Sequence, residues 1–127
     1  ISKLQLKNLI QKAISASKDD GREICGLIID NGYVLDLLEV RNKVKRGGSF
    51  AFYATEIRAI QKETNRLGHE IVGTFHSHPY SPAEPGNGDI EGTLDDALML
   101  VISCLDKNSK LWKIKNGTAK RLMFELF

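Results

Sequence analysis

The sequence predicts an α/β fold in which helices flank a mixed β-sheet. Three features support this prediction: apolar residues at helical spacing near the N-terminus, two Asn-Gly pairs between strand-like segments, and a nearly continuous apolar run over residues 97–105. Asn-Gly in that setting is a strong hairpin signal, and such an apolar run indicates a strand buried on both faces. Because 127 residues suffice for one buried core, we expect a single domain over residues 1–127.

The chain is predicted to open with a helix that leads into a hairpin. The helix should end near Ser17, because five apolar residues recur at helical spacing: Leu6, Leu9, Ile10, Ala13 and Ile14. Strands are then predicted over residues 24–29 and 33–40, on either side of Asn31-Gly32.

A basic segment, residues 41–46, separates this hairpin from a second helix. Four of its six residues are lysine or arginine, which is typical of a solvated loop, with partner docking as the alternative. After Gly47-Gly48, we expect a short strand over residues 50–53 and a helix over residues 55–67, with Thr55 as N-cap and Gly68 as C-cap. The residues expected to face the sheet are Ile57, Ile60, Thr64 and Leu67.

The second half of the chain is predicted to supply the centre of the sheet. A strand over residues 70–75 leads into a loop rich in proline and glycine, followed by a short helix over residues 89–96. The apolar run over residues 97–105 is the predicted central strand.

A closing hairpin is expected around Asn116-Gly117, with strands over residues 111–115 and 119–127. Trp112 alternates with lysines in this segment, so we interpret it as a half-buried strand residue. Stacking on a substrate is the weaker alternative, since aromatic side chains mainly serve cores.

The most specific feature of the chain is a pair of histidines, His76 and His78, followed after ten residues by Asp89. Side chains two positions apart on an extended backbone point the same way, so both imidazoles can face one ion. Pro79 should end the strand, and the turning loop after it can bring Asp89 back to the histidines. Three protein ligands leave one position of zinc open, as in catalytic sites, whereas structural sites close all four.

This run resembles the motif of the JAMM (MPN-plus) zinc metalloprotease family, which reads His-x-His-Pro, six residues, Ser, two residues, Asp. The spacing from His76 to Asp89 matches that motif to the residue. The family also places a glutamate before a Gly-Leu-hydrophobic strand, and Glu23 stands similarly before Gly26-Leu27. The resemblance spans nearly the whole chain and is to compact, prokaryotic-type members. It implies an MPN/JAMM-type, cytidine-deaminase-like mixed β-sheet flanked by helices.

The resemblance implies a Zn²⁺ cofactor held by His76, His78 and Asp89, with Glu23 as the catalytic base. A zinc site of this composition lowers the pKa of a bound water to about 7, and Glu23 would pass the proton of that water to the leaving amine. The implied reaction is hydrolysis of the isopeptide or peptide bond after the C-terminal tail of ubiquitin or a ubiquitin-like protein, bound as an added strand. Taken alone, Glu23 is more commonly explained as a solvated charge that caps or flanks a strand, and only the family resemblance favours the catalytic role.

Gly86 departs from the motif, because the family has a serine there that is implied to help hold the oxyanion of the tetrahedral intermediate. Ser81 is nearby but out of register. In other enzymes the loss of one oxyanion donor lowers the rate about 10²- to 10³-fold. Three interpretations stay open: a slow enzyme, an active enzyme in which the Gly86 backbone N–H or another group donates, and a metal-bound domain kept for binding.

Two alternatives to the isopeptidase stay open, and the second is one that the resemblance implies through related members of the family. One is a catalytically weak or inactive MPN-type protein-binding module. The other is a zinc hydrolase that acts on a sulfur-carrier or small-molecule substrate. The intact set of ligands and base favours an enzyme.

Charge, hydropathy and cysteine content indicate which classes of partner and which cellular location to expect. The net charge is only +2 and the basic residues are dispersed, so no nucleic acid partner is expected. No apolar stretch is long enough to span a bilayer and the chain opens without a signal-peptide pattern, so no membrane association is expected. Cys25 and Cys104 are far apart and lack a Cys-x-x-Cys spacing, which favours reduced thiols and a cytoplasmic location.

Overall fold

The computed structural model describes residues 1–45 and 48–127, and its described part contains a mixed six-stranded sheet with three helices. The sheet order is β2-β1-β3-β4-β5-β6, and every neighbouring pair is antiparallel except β3 and β4, which are parallel. The predicted α/β architecture is therefore confirmed. The elements are α1 (Lys3–Asp19), β1 (Cys25–Asp30), β2 (Leu35–Val40), α2 (Ala54–Arg66), β3 (Glu70–His78), α3 (Asn87–Glu91), β4 (Leu98–Ser103), β5 (Asn108–Lys115) and β6 (Thr118–Leu122).

β4 is buried on both faces, as its apolar sequence predicts. Leu100 and Ile102 lie in one core cluster with the apolar face of α1, whereas Met99 and Val101 lie in a second cluster that Ile90 of α3 covers. Since a fully buried side chain of this size contributes about 1.5–3 kcal/mol, β4 anchors both layers. The residues of α1 in the first cluster include Leu6, Leu9, Ala13 and Ala16.

Both predicted hairpins are present, but the last strand is shorter than expected. Asn116 and Gly117 both have positive φ angles, which the tight turn between β5 and β6 requires. β6 ends at Leu122. The backbone of Phe127 instead exchanges hydrogen bonds with the N-terminal residues, accepting from Lys3 and donating to Ile1, so the chain end leaves β5.

The predicted strand over residues 50–53 is wrong. This segment is extended but belongs to no ladder; Ala51 accepts one backbone hydrogen bond, from Lys43. Tyr53, not Thr55, is the N-cap of α2, and Leu67 is its C-cap, with Gly68 following in the left-handed region at φ 72°.

The predicted set of sheet-facing residues on α2 is only partly correct. Thr64 is buried, and Ile57 and Ile60 are half-buried. Leu67, which was expected to face the sheet, is exposed. Of the basic segment 41–46, Arg46 lies outside the described residues, as does Gly47. Arg41 and Lys45 are exposed, which agrees with a solvated loop.

The third helix is shifted and shorter than the predicted 89–96, since α3 covers Asn87–Glu91. The residues after it bond to the sheet: Asp96 donates its backbone N–H to Ile114, and Ile114 donates to Ala97. Asp96 also has a φ of 68°, which a helix cannot contain. No helix in the described part is long and apolar enough to cross a membrane.

Candidate metal centre

The end of β3 presents His76 and His78 on one face of the sheet. In the ladders, His76 lies between Cys25 of β1 and Val101 of β4, and its side chain is wholly buried. His78 is the last residue of β3 and stays partly exposed. The strand stops before Pro79, as expected, so the second histidine lies where the sheet opens to solvent.

Asp89 reaches both histidines from the first turn of α3. Its Oδ2 lies 3.2 Å from His76 Nε2 and 3.1 Å from His78 Nε2, and the two Nε2 atoms are 3.1 Å apart. The three side chains that the sequence brings into one site therefore do meet, across the proline- and glycine-containing loop between β3 and α3.

The size of this triangle suits zinc. Ligand atoms at the usual Zn–N distance of about 2.0–2.1 Å in a tetrahedron are separated by about 3.3 Å, close to the three observed separations of 3.1–3.2 Å. With both Nε2 atoms deprotonated, these two nitrogens and the carboxylate oxygen are three donor atoms close enough to hold one cation in place of the hydrogen bonds among them. By this test, His76, His78 and Asp89 fit a zinc ion with one position left for water or substrate.

Hydrogen bonds within the site keep the carboxyl group of Asp89 ionised. Burial alone would raise the pKa of Asp89, but hydrogen bonds from His76, His78 and the Gly86 backbone N–H outweigh it and hold that pKa well below its usual range. The hydrogen bond to Asp89 is also the main reason why the pKa of His78 lies above its ordinary value, against the effect of burial. Asp89 is thus an anion throughout the neutral range, as a metal ligand must be.

Glu23 lies beside this centre, two residues before the start of β1, and is almost wholly buried. Burial raises the pKa of the Glu23 carboxyl group, while the charges of His76 and His78 oppose that rise. No other side chain in the described ranges makes a hydrogen bond to its carboxylate. A buried carboxylate with a raised pKa and no fixed partner is suited to accept and release a proton.

Gly86 is the N-cap of α3, and its backbone N–H donates to Asp89 Oδ2 at 2.9 Å. That N–H is therefore already engaged, which disfavours its use as an oxyanion donor. A Cβ at this position would meet only Asp89 Oδ2, at 3.7 Å, so the site has room for a serine. Ser81 is exposed, and its carbonyl accepts from Ser103.

A groove of about 780 Å³ opens beside Asp89. It is lined by residues 48–52, by residues 70–74 of β3 and by residues 92–97 after α3. β4 pairs with β3 only from Gly73 onward, so on that side residues 70–72 of β3 present a free stretch of sheet edge in the described structure.

Three residues that sequence reasoning missed support the centre: Asn42, Phe50 and Ser77. Ser77 is buried and accepts a hydrogen bond from the Ile24 backbone N–H, next to Glu23. Phe50 stacks on His76, and Asn42 donates to the Glu23 carbonyl at 2.9 Å. Only Ser77 carried a sequence signal, namely its place between the two histidines. Trp112 is half-buried, as predicted, and donates its indole N–H to Ala83.

Comparisons with known proteins agree with this architecture. A family model described as prokaryotic homologs of the JAB domain matches residues 7–115. The desampylase of Pyrococcus furiosus is 31% identical over 84 residues, which is 65% of this chain and 58% of that protein. The chain thus spans less than two thirds of the length of this relative.

Solved structures resemble the chain over nearly its full length. The solution structure of protein DSY2949 from Desulfitobacterium hafniense has a TM-score of 0.80 at 24% identity, and the match covers 99% of this chain and 90% of that one. A structure of the JAMM metalloprotease-like zinc site in the proteasome and signalosome has a TM-score of 0.53 at 16% identity and covers 99% and 94%. These likenesses confirm the MPN/JAMM-type fold. Since the family model matches 7–115, the chain belongs to the prokaryotic homologs of the JAB domain, a JAMM-type family.

Proposed function

We propose that this chain is a zinc-dependent isopeptidase or peptidase that hydrolyses the amide bond at the C-terminal tail of a ubiquitin-like protein. The observation that carries the proposal is the triangle of His76, His78 and Asp89 beside the buried carboxylate of Glu23. The substrate class rests on the resemblance to JAMM metalloproteases and on the relative named desampylase.

In this proposal the three ligands hold the ion, and Glu23 moves the proton. When bound, zinc supplies Lewis-acid chemistry: it polarises the scissile carbonyl and acidifies water. The Glu23 carboxylate accepts a proton from the attacking water and gives it to the leaving amine. Burial of His76 excludes solvent from one side of the centre, while the partly exposed His78 borders the side open to substrate.

The groove beside Asp89 is the proposed binding site for the substrate tail. The free edge of β3 at residues 70–72 can pair with an extended peptide, whose backbone hydrogen bonds would set the position of the scissile carbonyl. Phe50, Phe52 and Leu94 also line this groove and offer apolar contacts to alternate side chains of such a strand.

The proposed enzyme is slow. The hydroxyl of the family serine is missing at Gly86, and the Gly86 N–H is bonded to Asp89. We therefore expect turnover about 10²- to 10³-fold below that of a related site with this donor. The same glycine is the observation that favours the second candidate function, a protein-binding module with little or no catalysis.

The test combines metal analysis with cleavage of a fusion in which a ubiquitin-like protein is joined through its tail to a reporter. We expect stoichiometric zinc and slow cleavage that Glu23→Gln abolishes without loss of zinc, whereas Glu91→Gln, an exposed glutamate on α3, leaves both unchanged. Zinc without cleavage of any such fusion would favour the binding module. No zinc after reconstitution would overturn the metal centre itself.

We also infer a reducing, cytoplasmic setting. Cys25 and Cys104 are both buried free thiols, and burial raises the pKa of the Cys25 thiol to about 12. Such thiols are unreactive and serve packing.

A further inference from the structure

The two histidine rings of the metal centre are held by different contacts. His78 Nδ1 lies 2.9 Å from the Pro82 carbonyl oxygen, so Nδ1 donates to that oxygen, and this bond holds the ring with Nε2 toward Asp89. His76 has no equivalent contact: its Nδ1 is buried and lacks a hydrogen-bond partner in the described structure. The ring that lies deeper in the protein therefore lacks the usual device that fixes its orientation.

That device matters for affinity. A histidine that binds a metal almost always donates its second ring N–H to an oxygen, which fixes the tautomer and the ring plane, and loss of that partner typically costs about 10- to 100-fold in metal affinity. A ring without it can rotate about its Cβ–Cγ bond and turn Nε2 away from the other ligands. Some other contact has to restrain the plane of His76.

Phe50 makes the contact that can do this. Its ring stacks on the His76 ring with centroids 4.8 Å apart and planes inclined by 20°. Rotation of the imidazole out of this plane would drive its edge into the face of Phe50, whereas the stacked arrangement keeps favourable aromatic contact. We propose that Phe50 is a positioning residue that fixes the His76 ring so that Nε2 faces His78 and Asp89. This inference rests on the proposed metal centre.

The segment that bears Phe50 is itself fixed, although it is not a strand. The Asn42 side chain accepts from the backbone N–H groups of Val44 and Ala51 at 2.9 and 3.1 Å and donates to the carbonyls of Glu23 and Ser49 at 2.9 and 3.3 Å. One amide thus ties both flanks of Phe50 to the backbone of the proposed base. The ring of Phe52 also tilts against Phe50, with centroids 5.5 Å apart.

The test is the zinc affinity of three variants, measured by competition with a chromophoric chelator. Phe50→Leu removes the stacking face and is expected to weaken zinc binding about 10- to 100-fold, while Phe50→Tyr keeps the face and restores the affinity. Tyr33→Leu is the matched control, because Tyr33 is an exposed aromatic residue in the turn between β1 and β2, at the other end of β1 from the Cys25–His76 pair, and its zinc affinity should stay close to that of the unchanged protein. Cobalt-substituted protein should show altered ligand-field absorption bands only in Phe50→Leu.

A measurement on the unchanged, metal-free protein keeps the inference testable if Phe50→Leu does not fold. The ring protons of His76 should resonate upfield in NMR spectra, since they lie over the face of Phe50, and should be shifted more than those of His78, whose ring is tilted against the His76 imidazole. An ordinary shift for His76, wild-type affinity and bands in Phe50→Leu, or equal weakening by Tyr33→Leu would each overturn the positioning role. Zinc binding without cleavage would instead fail the proposed function and leave this inference standing.

Discussion

Ser77 and Ile24 exchange two hydrogen bonds: the Ile24 N–H donates to Ser77 Oγ at 2.9 Å, and the Ser77 N–H donates to the Ile24 carbonyl at 3.0 Å. Ser77 stands between the two histidines, and Ile24 directly follows Glu23. The pair therefore extends the β1–β3 ladder by one step and sets the distance between the proposed base and the proposed ligands.

Ser77→Ala tests this link. The change removes the acceptor and leaves the buried N–H of Ile24 unsatisfied, so we expect the free energy of unfolding to fall by about 1–3 kcal/mol. Displacement of Glu23 should lower turnover more than zinc affinity, because Ser77 touches no ligand atom. Urea denaturation and zinc titration measure the two effects, with the exposed Ser81→Ala as control. Equal stability of the two variants would contradict the role of Ser77.

Gly86→Ser tests the missing oxyanion donor. A serine Cβ fits, since its nearest atom is Asp89 Oδ2 at 3.7 Å, and its hydroxyl should raise turnover by about 10²- to 10³-fold without changing the zinc content. The measurement is the steady-state cleavage rate of Gly86→Ser and of the unchanged protein. Gly88→Ser is the control, because Gly88 is on the same helix and has open space around it. Unchanged turnover in Gly86→Ser would show that the hydroxyl is not what limits the reaction.

Glu23→Gln should stabilise the metal-free protein at neutral pH. Because the pKa of Glu23 is raised in the fold, the folded state binds more protons than the unfolded state between pH 4.5 and that raised value. The free energy of unfolding therefore falls as pH rises through this window, by at most about 1.4 kcal/mol for each pH unit. Glutamine has no carboxyl proton to lose, so the free energy of unfolding of Glu23→Gln does not fall in this way as pH rises.

The measurement is thermal or urea unfolding of both proteins from pH 4 to pH 7.5 in the presence of a chelator. The advantage of Glu23→Gln should be absent at the acid end and grow toward neutrality. An advantage that is constant with pH, or a loss of stability at pH 7, would contradict a buried, desolvated Glu23.

Zinc should stabilise the fold through mass action. A ligand that binds only the folded state at 100 times its dissociation constant adds about 2.7 kcal/mol, so the midpoint of unfolding should rise with added zinc and fall with a chelator. His78→Ala should abolish this dependence, while His69→Ala should retain it, because His69 directly precedes β3 and lies at the other end of that strand from His76 and His78. A zinc effect that survives in His78→Ala would place the ion elsewhere.

Local pattern accounts for much of the fold. Helical spacing predicted α1, Asn-Gly predicted both hairpins, and the apolar run predicted the doubly buried β4. The meeting of His76, His78 and Asp89 also followed from pattern, because two side chains of an extended strand share a face and a proline-ended strand forces the chain to turn. In each case the signal that predicted the feature lies within a short stretch of sequence, although the contacts of β4 and of Asp89 reach further along the chain.

Tertiary structure decided the rest. Residues 50–53 look like a strand but find no ladder, because Asn42 holds this segment in a loop over His76. α3 stops at Glu91 because the residues after it bond to Ile114 in β5. Ser77 and Ile24 are 53 positions apart, and only the register of β1 on β3 makes them partners. The sequence by itself determined the candidate ligands and their shared face, whereas the contacts that orient them depend on long-range packing that no local pattern encodes.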